Sequence, residues 1–333
     1  MNEQNLRITL AGRPQGWPEP EHFRLEQASL PQPGAGQVLV RNRWLSLDPY
    51  MRGRMSDAKS YVEPVAIGDV MPGGTVGEVV ASNAPQLQVG DLVTGMLGWQ
   101  RYAAADAAAV RRIDAAGVPP QAFLGALGMP GVTAWYGLQQ ICRPQAGQTV
   151  VVTAASGAVG SGVGQLAKAA GCRVVGVAGG ERKCRYAVDE LGFDACVDYK
   201  AGRLHDDLRD ALPDGADCLF ENVGGEIFDA LLARTRPFAR VALCGMIADY
   251  NNVEPYRMKN LRAVLVNRLL VQGFIVSEHM ELWPQALREL GALAAAGRLR
   301  WRETVAEGLE QAPAAFVGML RGDNLGKQLV RID

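Results

Sequence analysis

Thr149-Val150-Val151-Val152-Thr153-Ala154-Ala155-Ser156-Gly157-Ala158-Val159-Gly160-Ser161-Gly162-Val163-Gly164-Gln165-Leu166-Ala167-Lys168 reads as a strand, a tight turn and the start of a helix. The β-branched run is strand-like, the small residues make the turn, and a helix-compatible run follows. This is the layout of a dinucleotide-binding site. Gly157 lets the backbone approach a pyrophosphate, and Gly160 lets the helix pack close to its strand. Exposed N–H groups and the positive end of the helix dipole then face the phosphates. Ala155 stands where the first glycine of the usual G-x-G-x-x-G would be, so the bare pattern is imperfect, but its context is right on both sides.

The following residues agree. Gly171 ends the helix, and Cys172 to Ala178 reads as the next strand. In an NAD site an acidic residue at the end of that strand takes the adenosine ribose hydroxyls. Here the strand ends in Ala178-Gly179-Gly180, followed by Glu181, Arg182 and Lys183. Two cations beside a missing acid suit a 2′-phosphate, so NADP(H) is the expected cofactor. Glu181 is the residue that argues the other way, and the competing reading of Arg182 and Lys183 is the solvated start of a helix.

A chain of 333 residues accommodates two domains. Lys plus Arg (34) and Asp plus Glu (35) nearly cancel, for a formal charge of −1, and no long charged block occurs. Nucleic acid and membrane surfaces are therefore not expected partners. The polar start, Met1 to Arg7, does not read as a secretory signal. The apolar stretch from Ala263 to Val276 is interrupted by Asn267, Arg268 and Gln272, which argues against a membrane span. The six cysteines, Cys142, Cys172, Cys184, Cys196, Cys218 and Cys244, form no C-x-x-C and read as buried free thiols in a reducing cytosol. A cytoplasmic location is the expectation.

The first part of the chain is β-rich and punctuated by Gly and Pro. Gln37–Leu47, Thr75–Ala81 and Asp91–Met96 read as strands, with no helical period of any length between them. From about residue 120, helical and strand patterns alternate. Strands are expected at Asp194–Asp198, Ala216–Asn222, Ala239–Gly245 and Leu270–Val276, with a helix from Trp283 to Ala296. Such alternation indicates an α/β, Rossmann-type, doubly wound parallel sheet. Arg300–Val305 and Lys327–Ile332 read as strands again, so the chain is expected to return to its first domain. The expected division is residues 1–123 with 300–333 as a β-rich, partly closed domain, and 124–299 as the Rossmann domain.

Together these pieces resemble the medium-chain dehydrogenase/reductase superfamily. The resemblance is to its zinc-independent branch of leukotriene B4 dehydrogenases, prostaglandin reductases, plant double-bond reductases and bacterial curcumin reductases. It covers essentially the whole chain. It rests on Arg13-Pro14 through Phe23, Leu45-Ser46-Leu47-Asp48-Pro49-Tyr50-Met51-Arg52 and Gly128-Met129-Pro130-Gly131-Val132-Thr133-Ala134. It continues in the glycine turn, in Glu221-Asn222-Val223-Gly224-Gly225, and in Gly322-Asp323-Asn324-Leu325-Gly326-Lys327. The resemblance implies a GroES-like first domain that carries catalysis, NADPH as reductant, reduction of the C=C bond of α,β-unsaturated ketones or aldehydes, and a homodimer. Carried over by position, Gly157, Ala158, Val159 and Gly160 hold the pyrophosphate, and Lys183 and Tyr199 meet the 2′-phosphate. Asn222, the turn Cys244-Gly245-Met246-Ile247-Ala248-Asp249-Tyr250, Phe274, Ile275, Val276 and Asn324 line the rest of the cofactor. One departure matters: many animal members carry a substrate-facing tyrosine eight residues before the Phe of this last segment, and here that position is Val266.

A zinc alcohol dehydrogenase needs Cys and His ligands in its β domain. No cysteine precedes Cys142, and of the three histidines, His22, His205 and His279, only His22 lies in the first domain. No metal is expected. Hydride must then go to a carbon that is already electrophilic, such as the β-carbon of a conjugated enone. The protein must supply a hydrogen-bond donor for the developing enolate and a route for a proton. The cofactor ribose is one possible donor. Among side chains, Tyr50, on a turn after Asp48-Pro49, and Tyr250, after a sheet strand, are the candidate catalytic residues. Arg52 is left outside that set, and core packing is the default for Trp17, Trp44 and Trp99. The rival enzymatic reading is an NADPH quinone oxidoreductase, and the non-enzymatic one is an NADPH-binding protein without turnover.

Overall fold

The computed structural model describes residues 4–115 and 117–333. The chain forms two compact units, Met1–Gly125 with Glu303–Asp333, and Ala126–Arg302. In the first unit β1 (Gln4–Leu10) pairs antiparallel with β2 (Phe23–Ser29). Then come β3 (Gln37–Ser46), a short helix α1 (Tyr50–Arg54), β4 (Thr75–Ser82), β5 (Leu92–Gly95), β6 (Tyr102–Asp106) and β7 (Val110–Arg112). Alternation sets the faces: Val38 and Val40 of β3 point the same way and bury against Val79, Val93, Leu97 and Ala103. The helix α1 corrects the expectation that nothing helical interrupts these strands. It is only five residues long, too short for its period to stand out in sequence.

The second unit contains α2 (Met129–Tyr136), β8 (Thr149–Thr153), α3 (Ala158–Ala169), β9 (Arg173–Ala178), α4 (Glu181–Arg185), β10 (Ala195–Asp198) and α5 (Leu204–Ala211). It continues with β11 (Ala216–Glu221), α6 (Gly225–Leu232), β12 (Thr235–Leu243), α7 (Arg262–Val266), β13 (Leu270–Gly273) and α8 (Trp283–Ala295). The sheet order is β10-β9-β8-β11-β12-β13, and every pairing is parallel. A parallel sheet with helices on its faces buries its strands on both sides, which is why Val150, Val151 and Val152 form an unbroken apolar run at 0% exposure. Val175, Val177, Leu219 and Val241 meet Ile227, Phe228 and Leu231 of α6 in one core. The last strand is shorter than Leu270–Val276. It stops at Gly273, where Phe274 turns to pack on Tyr136 and Phe220, with ring centroids 5.3 and 6.2 Å away.

The chain returns to the first unit as β14 (Glu303–Glu307), α9 (Ala312–Arg321) and β15 (Lys327–Arg331). β15 pairs with β14 on one side and β3 on the other, completing the order β14-β15-β3-β4-β5-β7, with β6 also on β3. Phe316 of α9 packs edge-on against Phe23 and Trp99, and those two rings stack at 5.7 Å. Trp99 is thus core, as is half-buried Trp44, which packs with the Val76 and Leu329 cluster. Trp17 departs from the core expectation: it is 41% exposed, with the Arg321 guanidinium over its ring.

Candidate functional site

In the second unit the sheet runs outward from β8 through β9 to β10, then restarts at β11 and runs the other way. The reversal falls between β8 and β11, whose paired residues include Val152 and Phe220. The carboxyl ends of the strands at such a reversal are the usual ligand position in sheets of this kind. The glycine turn lies at that point. Ala154 takes φ +50° as the chain leaves β8, and Gly157 N–H donates to Ala154 O at 2.8 Å. A Cβ on Gly160 would stand 2.3 Å from Ala154 O, so only glycine lets α3 start this close. Ala155 replaces the first fingerprint glycine without harm because β9 has Gly176 opposite: a Cβ there would meet the Ala155 methyl at 2.8 Å. No side chain caps α3, and its first turn carries no acid. Its dipole end is therefore chemically suited to a phosphate group.

The neighbouring turns are stitched to β8. Asn222 N–H donates to the Thr153 hydroxyl at 2.8 Å, and Asn222 Nδ2 donates to Thr153 O at 2.8 Å. Under this turn sits Glu221, fully buried. Its Oε1 accepts from the Thr153 hydroxyl at 3.1 Å, Val223 N–H at 2.5 Å and Gly224 N–H at 2.7 Å, while Oε2 is buried without a partner. Burial pushes its carboxyl up to about 7, against the pull of those donors. Burial also raises the Cys244 thiol to about 12, helped by Glu221. The Cys244–Tyr250 turn is tied to the same place: Ile247 and Ala248 N–H donate to the carbonyls of Asn222 and Val223, and Asp249 Oδ2 accepts from Gly225 N–H. The Tyr250 hydroxyl folds back over its own turn and accepts from Met246 N–H at 3.3 Å.

At the ends of β9 and β10, Asp198 Oδ1 accepts from Gly180 N–H at 2.7 Å and from Lys200 N–H at 2.9 Å. This closes the turn that leads into α4, the helix carrying Lys183. The Tyr199 ring lies against Gly179, its hydroxyl 2.7 Å from where a Cβ would be. Burial and then the Asp198 charge raise the Tyr199 phenol. Glu181, the residue that argued against a 2′-phosphate, is exposed and ion-paired with Arg185 at 3.6 Å. These residues can receive the dinucleotide that the glycine turn implies.

In the first unit Tyr50 is the first residue of α1 rather than part of an open turn. Burial, then the Asp48 charge, pushes its phenol far up, so it stays a neutral hydroxyl. Asp48 accepts from the Ser46 hydroxyl and, at Oδ1, from Lys327 Nζ at 2.7 Å. Lys327 also donates to Leu47 O at 2.6 Å, and both charged side chains are nearly fully buried. Arg52, also buried, donates to the carbonyls of Pro14 and Gly16, and Arg13 to those of Met55 and Val65. Two of the sequence motifs thus fasten one another. Asn324 donates to Gly326 O at 2.8 Å in the turn before β15.

Phe274, read as a cofactor-lining residue, directs its ring to Tyr136 and Phe220. Ile275 is half-buried and Val276 buried. Val266 closes α7 and is 50% exposed. Tyr256 reaches Asp229 at 3.5 Å. The sequence reading passed over three features: the Glu221 carboxylate, a Tyr136–His279 pair joined at 2.8 Å with stacked rings, and a Cys184–Cys196 pair. Only spatial proximity exposes them, although Glu221 already stood inside a recognised motif.

Among the described residues no group of three or more His, Cys, Asp or Glu could hold a metal ion, and no helix is long and apolar enough to cross a membrane. Residues 6–113 match the family model described as N-terminal domain of oxidoreductase, and 158–292 the one described as zinc-binding dehydrogenase. The chain is 47% identical to the NADPH-dependent curcumin reductase of Escherichia coli (strain K12), over 99% of this chain and 97% of that one. It is 40% identical to the 2-alkenal reductase (NADP(+)-dependent) of Nicotiana tabacum, over 98% and 97%. The crystal structure of CurA in complex with NADPH from Vibrio vulnificus superposes with a TM-score of 0.94 at 46% identity, covering 98% of this chain and 99% of that one. The fold, the glycine turn at the sheet reversal and these full-length similarities converge: the chain belongs to the medium-chain dehydrogenase/reductase family, alongside NADP-dependent curcumin and prostaglandin reductases.

Proposed function

We propose that this protein is an NADPH-dependent reductase of the C=C bond of α,β-unsaturated ketones and aldehydes. The observation that carries the reading is the sheet reversal between β8 and β11, with the uncapped start of α3 following β8 and Gly179-Gly180, not an acid, following β9. NADPH, when bound, supplies the hydride. Gly157 to Gly160 offer backbone N–H groups to its pyrophosphate, and Lys183 and Tyr199 take its 2′-phosphate. Asn222 and the Cys244–Tyr250 turn follow the neighbouring strands β11 and β12 at the same end of the sheet. Phe274 packs on Tyr136 and Phe220, and Ile275 and Val276 follow it. The hydride goes to the β-carbon of the substrate, and the charge that reaches the carbonyl oxygen needs a neutral donor. Tyr50 and Tyr250 are the proposed donors. With Val266 in place of the family tyrosine, no hydroxyl is supplied from that position.

The substrate is a small enone or enal, and neither nucleic acid nor membrane is a partner. The protein acts in the cytoplasm as a homodimer. The supporting feature is β13, an edge strand exposed along its whole length, with Leu265 and Val266 exposed just before it.

The test is NADPH consumption with a simple enone and a 2-alkenal, NADH in parallel, and product identification. A saturated ketone or aldehyde formed with NADPH is the expected result. Oxidation of NADPH by a quinone but not by these acceptors makes it a quinone oxidoreductase, and tight NADPH binding with no turnover makes it a non-catalytic binder. Lys183→Ala is expected to cut the NADPH-over-NADH preference roughly tenfold or more, as loss of a charge-assisted phosphate contact should. An unchanged preference removes Lys183 from the site.

A further inference from the structure

Cys184 Sγ and Cys196 Sγ lie 3.0 Å apart, and both residues are partly accessible to solvent, contrary to the expectation of buried thiols. Cys184 sits on α4, directly after Lys183, and Cys196 on β10, three residues before Tyr199. Cys196 pairs with Gly176 of β9, where the missing side chain leaves room: a Cβ on Gly176 would be 3.2 Å from the Cys196 sulfur. The Cys196 S–H lies against the Cys184 sulfur, a contact that lowers the Cys184 thiol and raises that of Cys196, which burial raises further. A disulfide needs the sulfurs to close by about 1 Å.

We propose that Cys184 and Cys196 form a redox-active dithiol whose oxidation by hydroperoxides links α4 to β10 and weakens NADPH binding. The Cys184 thiolate attacks the distal oxygen of the hydroperoxide, giving a sulfenic acid and releasing the alcohol, or water from hydrogen peroxide. The Cys196 thiol then attacks the sulfenic sulfur. A disulfide forms, the sulfenic oxygen leaves as water, and two thiols have been oxidised by one peroxide bond. The link joins the two elements that carry Lys183 and Tyr199. A displacement of about 1 Å is enough to lose a phosphate hydrogen bond. This coupling rests on the proposed 2′-phosphate role of those residues. The formation of the disulfide does not.

The experiment treats the full-length protein with hydrogen peroxide, counts free thiols, maps cross-linked peptides by mass spectrometry, and measures NADPH and NADH affinity before and after. Expected are the loss of two thiols and a peptide containing Cys184 joined to one containing Cys196. NADPH affinity should fall roughly tenfold, NADH affinity should hold, and dithiothreitol should restore the starting state. Cys184→Ser and Cys196→Ser should each abolish the cross-link, and comparing oxidised with reduced wild type needs neither variant. Absence of the cross-link, or a cross-link with unchanged NADPH affinity, overturns the proposal. Failure of Lys183→Ala to alter the NADPH-over-NADH preference would instead identify the 2′-phosphate reading as the part that is wrong.

Discussion

The Ala154–Gly160 turn of the second unit and the Asp48–Arg52 turn of the first are held by opposite means. The former is shaped by side chains that are missing: Gly160 lets a helix start against Ala154 O, and Gly176 makes space for Ala155. Its partners lie within one strand-turn-helix unit and the next strand. The latter is shaped by charges that are present and buried, Asp48 and Lys327, which are 279 residues apart in sequence. A turn made of small residues keeps its backbone open to a ligand. A turn anchored by an ion pair is held by a residue far along the chain, at the price of desolvating two charges.

The sharpest way to break this contrast is Lys327→Met. It leaves the Asp48 carboxylate buried without its cation and is expected to destabilise the protein by about 3–5 kcal/mol in urea unfolding. The double variant Asp48→Asn, Lys327→Met should recover part of that loss. A single-variant cost below about 1 kcal/mol would mean the pair is no anchor.

Glu221→Gln examines the other turn through pH. The Glu221 carboxyl is held up at about 7 in the folded protein against an ordinary value of 4.5. A raised acid favours folding below pH 4.5, and that contribution is lost as pH rises through about 7, where the buried group must ionise. The shift is equivalent to about 3 kcal/mol. Wild-type stability should therefore fall relative to Glu221→Gln between these pH values and change little beyond pH 8. Parallel profiles would show that the carboxyl does not titrate there.

Gly160→Ala should cost about 1–3 kcal/mol, since the new methyl meets backbone rather than a yielding side chain. NADPH affinity should drop with it, measured by fluorescence titration. Full retention of both would mean that α3 does not need its close start.

Tyr250→Phe has the smallest expected effect. Losing the Met246 contact costs about 0.5–1.5 kcal/mol of stability. A proton or hydrogen-bond donor role adds roughly a tenfold fall in kcat, with KM for NADPH little changed. Unaltered kcat leaves the hydroxyl as a brace for its own turn.

Sequence alone determined whatever depends on neighbours along the chain. The Val150–Val152 run, the small-residue turn and the strand–helix alternation specify a parallel Rossmann sheet, because strand period, turn chemistry and helix starts are local properties. That no cysteine precedes Cys142 is likewise legible along the chain. Tertiary structure decided what depends on distant residues meeting. Lys327 beneath Asp48, Arg13 and Arg52 lacing two motifs together, and Cys184 beside Cys196 have no signature in spacing. The Glu221 charge state was equally hidden, since it is burial that moves it. Five-residue α1 escaped notice because one turn of helix carries no period, and Phe274 left its strand because an aromatic cluster gave it better burial than the sheet edge. Covalent order sets which backbone can form, but desolvation and pairing energies arise only where the folded chain brings those groups together.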